Sequence, residues 1–274
     1  MDMAFRGKVS ELDIPMSCLF EWKLPPEKLD LDDGQIHIWK VGLNAGSPHA
    51  DYQKILSIGE RLRAARLISS EKSLRFQSAR SALRIILSIY VNKPPENIQF
   101  KYGPNGKPYL LQNGRPDSVE FNIAHSENMM VAAFSKGSPV GIDLEFKQPV
   151  STKDWIVKQY FSKNDQDIYQ NLPEKDKETA FLTVWTKKEA FGKAIGAGLT
   201  YSPQLNHLKP GLTEVLPSGH YEMELDGSFW FLRFTPEVNF TAAVAIKSTE
   251  KIKPFFWESP DITRNNQFDR FFKC

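Results

Sequence analysis

Gly141-Ile142-Asp143-Leu144-Glu145 has the alternation of a short strand. Successive strand side chains point to opposite faces, so Ile142 and Leu144 are expected in the core, with Asp143 and Glu145 together on the other side. Two carboxylates on one face of a rigid element, just after a glycine, suit a hard cation. Alone, they suit a strand with two solvated acids equally well. A second stretch, Trp185-Thr186-Lys187-Lys188-Glu189-Ala190-Phe191-Gly192-Lys193, shifts the balance. On a helix, Trp185, Lys188 and Glu189 share a face and Lys193 follows Glu189 by one turn. A Glu flanked by two lysines is in isolation a salt-bridge ladder. Joined to the strand, it supplies a third carboxylate and two cations. Three carboxylates suit Mg²⁺, which keeps water and phosphate oxygens as ligands, and two lysines beside it suit a pyrophosphate. The combined pattern is that of metal-assisted phosphoryl transfer.

Around these two stretches the sequence predicts an α+β chain. Residues 1–34, with Pro15, Pro25 and Pro26, read as an irregular arm. Gln35–Leu43 alternates as a strand. Ser57-Ile58-Gly59-Glu60 has capping-box spacing and opens a helix bearing Arg61, Arg63 and Arg66. Ser70–Val91 is a longer helix, stopped by Pro94-Pro95, with Leu74, Ala82, Leu83, Ile86, Ile89 and Tyr90 as its apolar face. Ile98–Tyr102 is a strand, and Gly103-Pro104-Asn105-Gly106 a turn that delivers Lys107-Pro108. Glu120–Ala124 and Met129–Ser135 are expected to pair around His125-Ser126. Ser162-Lys163-Asn164-Asp165 is a second capping box, starting a helix that Pro173 ends. Glu174–Ile195 is a strong helix that Gly196-Ala197-Gly198 terminates. Strands are expected at Tyr221–Leu225, Phe229–Phe234 and Phe240–Ile246. The domain reading is an N-terminal half over 1–138 and a C-terminal half over 139–274, with an extended tail after about 247. Met130–Lys136 and Thr241–Lys247 are similar small-residue apolar runs, one in each half. They are either an internal repeat or two independent solutions to a buried strand.

Composition bounds the function. The 274 residues are 41% hydrophobic and 25% charged, which is ordinary globular protein with ample core. A net charge of +2 gives no global field for nucleic acid or membrane, so an anionic ligand must meet local basic clusters. Two cysteines, Cys18 and Cys274, make no disulfide framework and fit a reducing cytoplasm. No secretory signal is expected from the acidic start, and no apolar run approaches the length of a membrane span.

The two stretches, Val140-Gly141-Ile142-Asp143-Leu144-Glu145 and Trp185 to Lys193, together resemble the 4′-phosphopantetheinyl transferases of the larger, Sfp-like type. Gly106-Lys107-Pro108 is similar to that family's Gly-Lys-Pro turn, and Phe121-Asn122-Ile123-Ala124-His125-Ser126 to its Phe-Asn-x-Ser/Ala-His-Ser. Phe161-Ser162 resembles its short Phe-Phe-Ser element. These occur in family order over roughly residues 55–247. The resemblance implies two pseudo-symmetric α+β halves, with coenzyme A and Mg²⁺ (or Mn²⁺) in the cleft between them. It implies transfer of the phosphopantetheine arm from coenzyme A to a serine of an apo acyl or peptidyl carrier protein, with release of adenosine 3′,5′-bisphosphate. Carried over by position, Asp143, Glu145 and Glu189 form the metal shell, and Glu189 takes the serine proton directly or through water. Lys188 and Lys193 face the coenzyme A phosphates, while Lys107 and His125 hold the nucleotide end, including its 3′-phosphate. Arg63 and Arg80 are the basic-helix contacts, although Arg61, Arg66 and Arg75 stand nearby. Ala124 lacks the hydroxyl some members place before the His. A cytoplasmic monomer is expected, with no nucleic acid or membrane partner.

Two rival readings stand beside this one. An acidic triad alone also fits a Mg²⁺-dependent nuclease or phosphohydrolase, which would release phosphate without a carrier; the Trp-x-x-Lys-Glu helix argues against it. A carrier-binding module without chemistry would have no reason to keep three carboxylates and both lysines.

Overall fold

The computed structural model describes residues 21–43, 52–111, 119–197, 218–223 and 227–259. Cys18, Cys274, Gly198, Leu225, the first part of the arm and the end of the tail lie outside them. The described residues divide into two compact units, 21–137 with the returning residues from Pro254, and 138–253.

In the first of these, β1 (Gln35–Gly42) precedes two short helices, α1 (Tyr52–Ile55) and α2 (Ile58–Ala65), and the long helix α3 (Ser70–Val91). β2 (Phe100–Tyr102) and β3 (Pro108–Leu110) form a small hairpin, and β4 (Val119–Ser126) and β5 (Met129–Lys136) a larger one. The capping box at Ser57 is complete: its hydroxyl accepts from the Glu60 amide, and the Glu60 carboxylate accepts from the Ser57 amide. Helix α3 ends at Asn92, in the left-handed region at φ 48°, before the prolines. From Gln77 to Ser88 it is buried on every side, so it runs through the unit instead of lying on it. Its apolar side packs Ala82, Leu83, Ile86 and Leu87 against Trp39, Val41, Phe121, Met130 and Phe134 of the sheet.

That sheet has the order β10-β1-β5-β4, where β10 is Lys253–Glu258. The segment after 247, expected as an extended tail of the second half, therefore supplies an edge strand to the first unit's sheet. Lys23 bridges to Trp257, and Trp22 packs edge-on against Phe256 at 5.2 Å, which seats the end of the arm there. One local expectation changes. His125 and Ser126 are not between strands; both lie inside β4, opposite Met130 and Met129. The turn is Glu127-Asn128, with Glu127 at φ 50°.

The other unit has the element order β6 (Val140–Phe146), α4 (Lys153–Tyr160), α5 (Lys163–Asn171), α6 (Glu174–Ala194), β7 (Ser218–Met223), β8 (Gly227–Phe234) and β9 (Phe240–Lys247). Its sheet runs β6-β9-β8-β7, all antiparallel. In each unit the first strand pairs with the last of its own hairpin, and the central strand is one of the two small-residue runs, buried along its length. This is the pseudo-symmetry that the paired runs pointed to. Helix α6 closes in a Schellman motif: Ala197 N–H reaches Gly192 O at 3.0 Å and Gly196, at φ 70°, reaches Lys193 O at 3.3 Å. Among the described residues no helix is long and apolar enough to cross a membrane.

Candidate active site

The candidate site begins with a missing side chain. A Cβ on Gly141 would stand 2.0 Å from Ala190 O, 2.3 Å from Ala194 N and 2.9 Å from Lys193 C, all backbone of α6. The strand β6 therefore lies directly on the helix at this point, which only glycine permits. Two and four residues on, the same face of β6 presents Asp143 and Glu145 to the helix stripe Trp185, Glu189 and Lys193, each one turn from the next.

The contacts follow from that approach. Lys193 Nζ donates to Asp143 Oδ1 at 2.6 Å. Asp143 is buried, and its other oxygen, Oδ2, is buried without a hydrogen-bond partner. Glu145 accepts from the Trp185 side chain. Burial and the adjacent Asp143 carboxylate push Glu145 up to about 7, against the opposing pull of Lys193, with Glu189 adding repulsion. Burial and Asp143 likewise push Glu189 up to about 7, again opposed by Lys193. Three half-buried or buried carboxylates thus repel one another around the Lys193 ammonium group.

Among the described residues no three His, Cys, Asp or Glu side chains converge as a ready metal cage. The donor chemistry nonetheless fits a hard divalent cation. It offers oxygen ligands only, an unpartnered buried Asp143 oxygen, and more negative charge than Lys193 balances. A loose carboxylate set of this kind suits Mg²⁺, which holds few protein ligands and completes its octahedron with water and phosphate oxygens.

Lys188 goes elsewhere. It is next to Glu189 in sequence, but adjacent helical residues diverge by about 100°, and its ammonium lies 5.9 Å from the centre of the Phe161 ring. It is buried, which pushes it down to about 8, with Asp165 opposing. Asp165 itself is buried at the start of α5, its amide capped by Ser162. The expected stripe of one Glu between two lysines is thus split: Lys193 joins the carboxylates, and Lys188 faces the buried start of α5.

Arg80 is also committed within the fold. Its Nε donates to Glu60 Oε1 at 2.8 Å, its Nη2 to the Tyr102 hydroxyl at 3.1 Å, and its guanidinium lies 4.5 Å over the Phe100 ring. Arg84 donates to the other Glu60 oxygen at 2.8 Å and to the Pro95 and Ile98 carbonyls. Burial would raise Glu60, but Arg80, the Ser57 amide and Arg84 hold it below its ordinary value. Of the two arginines expected at coenzyme A, only Arg63 is exposed, lying 5.2 Å over Phe76. Lys107 sits at the end of a tight turn closed by Gly103 N to Lys107 O at 2.9 Å, with Gly106 at φ 80°. Burial pushes it down to about 8, against Glu120. His125 is exposed near the end of β4, on the same strand face as the buried Phe121. Sequence reasoning overlooked the contact roles of Gly141 and Trp185 here. The glycine two residues before the acids was visible, but its closeness to Ala190 is a tertiary fact.

Taken together, two units of one topology carry, in the second, a carboxylate–lysine cluster of the kind phosphoryl-transfer chemistry needs. Comparison with known proteins agrees. Residues 139–240 match the family model of the 4′-phosphopantetheinyl transferase superfamily. The chain is 30% identical over 239 residues to the 4′-phosphopantetheinyl transferase HetI of Nostoc sp. PCC 7120, covering 86% of this chain and 97% of that protein. It is 31% identical over 152 residues to the 4′-phosphopantetheinyl transferase Sfp of Bacillus subtilis 168, covering 54% of this chain and 64% of the relative. The gsp transferase of Aneurinibacillus migulanus is 35% identical over 117 residues, or 43% of this chain and 46% of its own length. The chain belongs to the 4′-phosphopantetheinyl transferase family, an Sfp-like member acting with coenzyme A on carrier proteins.

Proposed function

We propose that the reaction is the Mg²⁺-dependent transfer of the 4′-phosphopantetheine group of coenzyme A to a serine hydroxyl of an apo acyl or peptidyl carrier protein. Its second product would be adenosine 3′,5′-bisphosphate. The observation that carries this reading is the convergence of Asp143, Glu145, Glu189 and Lys193, enforced by the contact at Gly141.

Asp143, Glu145 and Glu189 would hold the cation, which when bound withdraws charge from the pyrophosphate oxygens. The serine oxygen attacks the pantetheine-side phosphorus as the bond from that phosphorus to the bridging oxygen breaks, and the bridging oxygen leaves with the nucleotide. Glu189 is assigned to receive the serine proton, directly or through one water. Lys193, held against Asp143 at 2.6 Å, sets its ammonium group where the leaving bisphosphate develops negative charge. Arg63, Lys107 and His125 are assigned to the nucleotide end of coenzyme A. Arg80 and Lys188 are assigned to the scaffold, since Arg80 is paired with Glu60 and Lys188 is buried with its ammonium group 5.9 Å from the centre of the Phe161 ring.

The test is intact-protein mass spectrometry of apo fatty-acid, polyketide and peptidyl carrier proteins incubated with this protein, coenzyme A and Mg²⁺. A gain of one phosphopantetheine on at least one carrier is expected. No gain on any of them, with folded enzyme and metal present, would sink the proposal.

A further inference from the structure

Helix α2 is turned inside out with respect to polarity. Its sole acid, Glu60, is buried and occupied by Arg80 and Arg84, and Ala64 is buried beside it. About 200° around the helix from Glu60, the side facing water carries Ile58 and Leu62, which are 69% and 54% exposed. Just past the helix end Ile68 is fully exposed. Arg66, at the C-cap, and Arg63 are both exposed beside this ridge. A solvated helix face ordinarily carries polar residues, and apolar side chains gathered there mark an interaction surface.

We propose that this ridge of α2 is a docking surface for the carrier protein, specifically for an amphipathic helix with an acidic face. The inference rests on the carrier-transfer reading above. Charge complementarity identifies the occupant: the exposed side of α2 offers arginines and no carboxylate, because Glu60 is consumed inside. A partner helix that sets leucine-like side chains over Ile58 and Leu62 places its acids against Arg66, an apolar centre beside a charged rim.

The experiment measures steady-state transfer with the double variant Ile58→Ser/Leu62→Ser, and separately with Arg66→Glu, using an apo carrier that the wild type modifies. The expected result is a KM for the carrier raised about tenfold in each, with the KM for coenzyme A and the kcat within twofold of wild type. For Arg66→Glu the salt dependence of kcat/KM should flatten, a readout that loss of packing would not move. Circular dichroism checks that the fold survives, which these exposed positions should allow. An unchanged carrier KM in both variants would overturn the proposal. So would a carrier KM that stays constant while sedimentation velocity shows a wild-type dimer lost in the variants, since the ridge would then be covered by a second copy. A wild type that modifies no carrier would overturn the functional reading instead, and the two failures are thereby distinguishable.

Discussion

Replacing Gly141 by alanine tests whether the strand–helix contact builds the site. The added Cβ would meet Ala190 O at 2.0 Å, where an ordinary van der Waals contact begins near 3.4 Å. Strand and helix must therefore part by about 1.4 Å there, because every atom met is backbone and none can swing aside. Overpacking of this kind costs about 1–3 kcal/mol, and a rigid backbone neighbour puts it at the upper end, about 3 kcal/mol. The displacement falls on the cluster as well. Lys193 C is one of the three atoms met, and Lys193 Nζ is only 2.6 Å from Asp143. A shift of about 1 Å in a positioned group is worth about a hundredfold in rate. Urea unfolding and the mass-spectrometric transfer rate read the two effects. Gly59→Ala is the control: it lies in helix α2, a Cβ there meets nothing within 4 Å, and it should be neutral or stabilising by up to about 1 kcal/mol. A Gly141→Ala protein within about 0.5 kcal/mol of wild type, with undiminished transfer, would refute the claim that this contact sets the geometry.

Three further outcomes are expected. In the metal-free protein, Glu145 and Glu189 bind protons between their ordinary range and about 7 that the unfolded chain does not. Their contribution to stability is therefore full in acid and lost as pH rises through about 7, worth about 2 kcal/mol after discounting for partial exposure. His37, pushed down to about 4 by burial, acts with the opposite slope, losing stability as pH falls below its ordinary range, so the comparison is wild type against Glu145→Gln/Glu189→Gln in EDTA. A double variant with the wild-type pH slope would contradict the cluster's electrostatics. Arg80→Met should cost about 3 kcal/mol by stripping one partner from buried Glu60 while leaving the KM for coenzyme A nearly unchanged; a large KM effect with intact stability would return Arg80 to the ligand. Lys193→Met should lower kcat by roughly a hundredfold or more, as removal of a positioned charge-stabilising donor does, with Lys193→Arg recovering part of it; near-normal turnover in the Met variant would remove Lys193 from the reaction.

What the sequence made legible was local. Both helix starts fall where their four-residue spacing placed them, as a complete capping box at Ser57 and as a hydroxyl cap on the Asp165 amide at Ser162, because the signal and the structure occupy the same turn. The helices 70–91 and 174–194 and the main strands were legible for the same reason, period and stop signals being short-range. Helix α4 was missed: its N-cap Thr152 makes no side-chain cap bond, so no start signal is written there. Strand β10 was missed because an edge strand is defined by the chain it joins, and β1 is far away in sequence. Within the site the residue types were readable and their directions were not. Lys188 and Lys193 are alike as letters, and only the packing of α6 sends one to Phe161 and the other to Asp143. Arg80 meets Glu60 across two helices, a pairing that no spacing within either one reveals.

The repeated topology explains why only one unit carries the cluster. Aligning the central strands end to end sets Ala132 of β5 on Ala243 of β9, and the strands beside them are then equivalent through their registers. Trp39 faces Ala132 as Asp143 faces Ala243, His37 corresponds to Gly141, and Val41 to Glu145. In the first unit these positions fill the interface with α3. Trp39 Nε1 donates to the Tyr90 hydroxyl at 2.8 Å, His37 Nδ1 lies 2.9 Å from the same oxygen, and Tyr90 stacks on Phe134 at 4.9 Å. Every polar atom named there has a partner, and burial keeps His37 neutral near pH 7. In the second unit the same face carries a glycine and two acids, and the helix closes onto the strand backbone. The rings of the first unit are absent at these positions, so Asp143, Glu145 and Glu189 feel one another across a buried surface, with Lys193 as the counter-charge among the described residues. A face that one copy of the fold uses for packing is thus, by three substitutions in register, a site of excess negative charge in the other, and that excess is what a divalent cation can relieve.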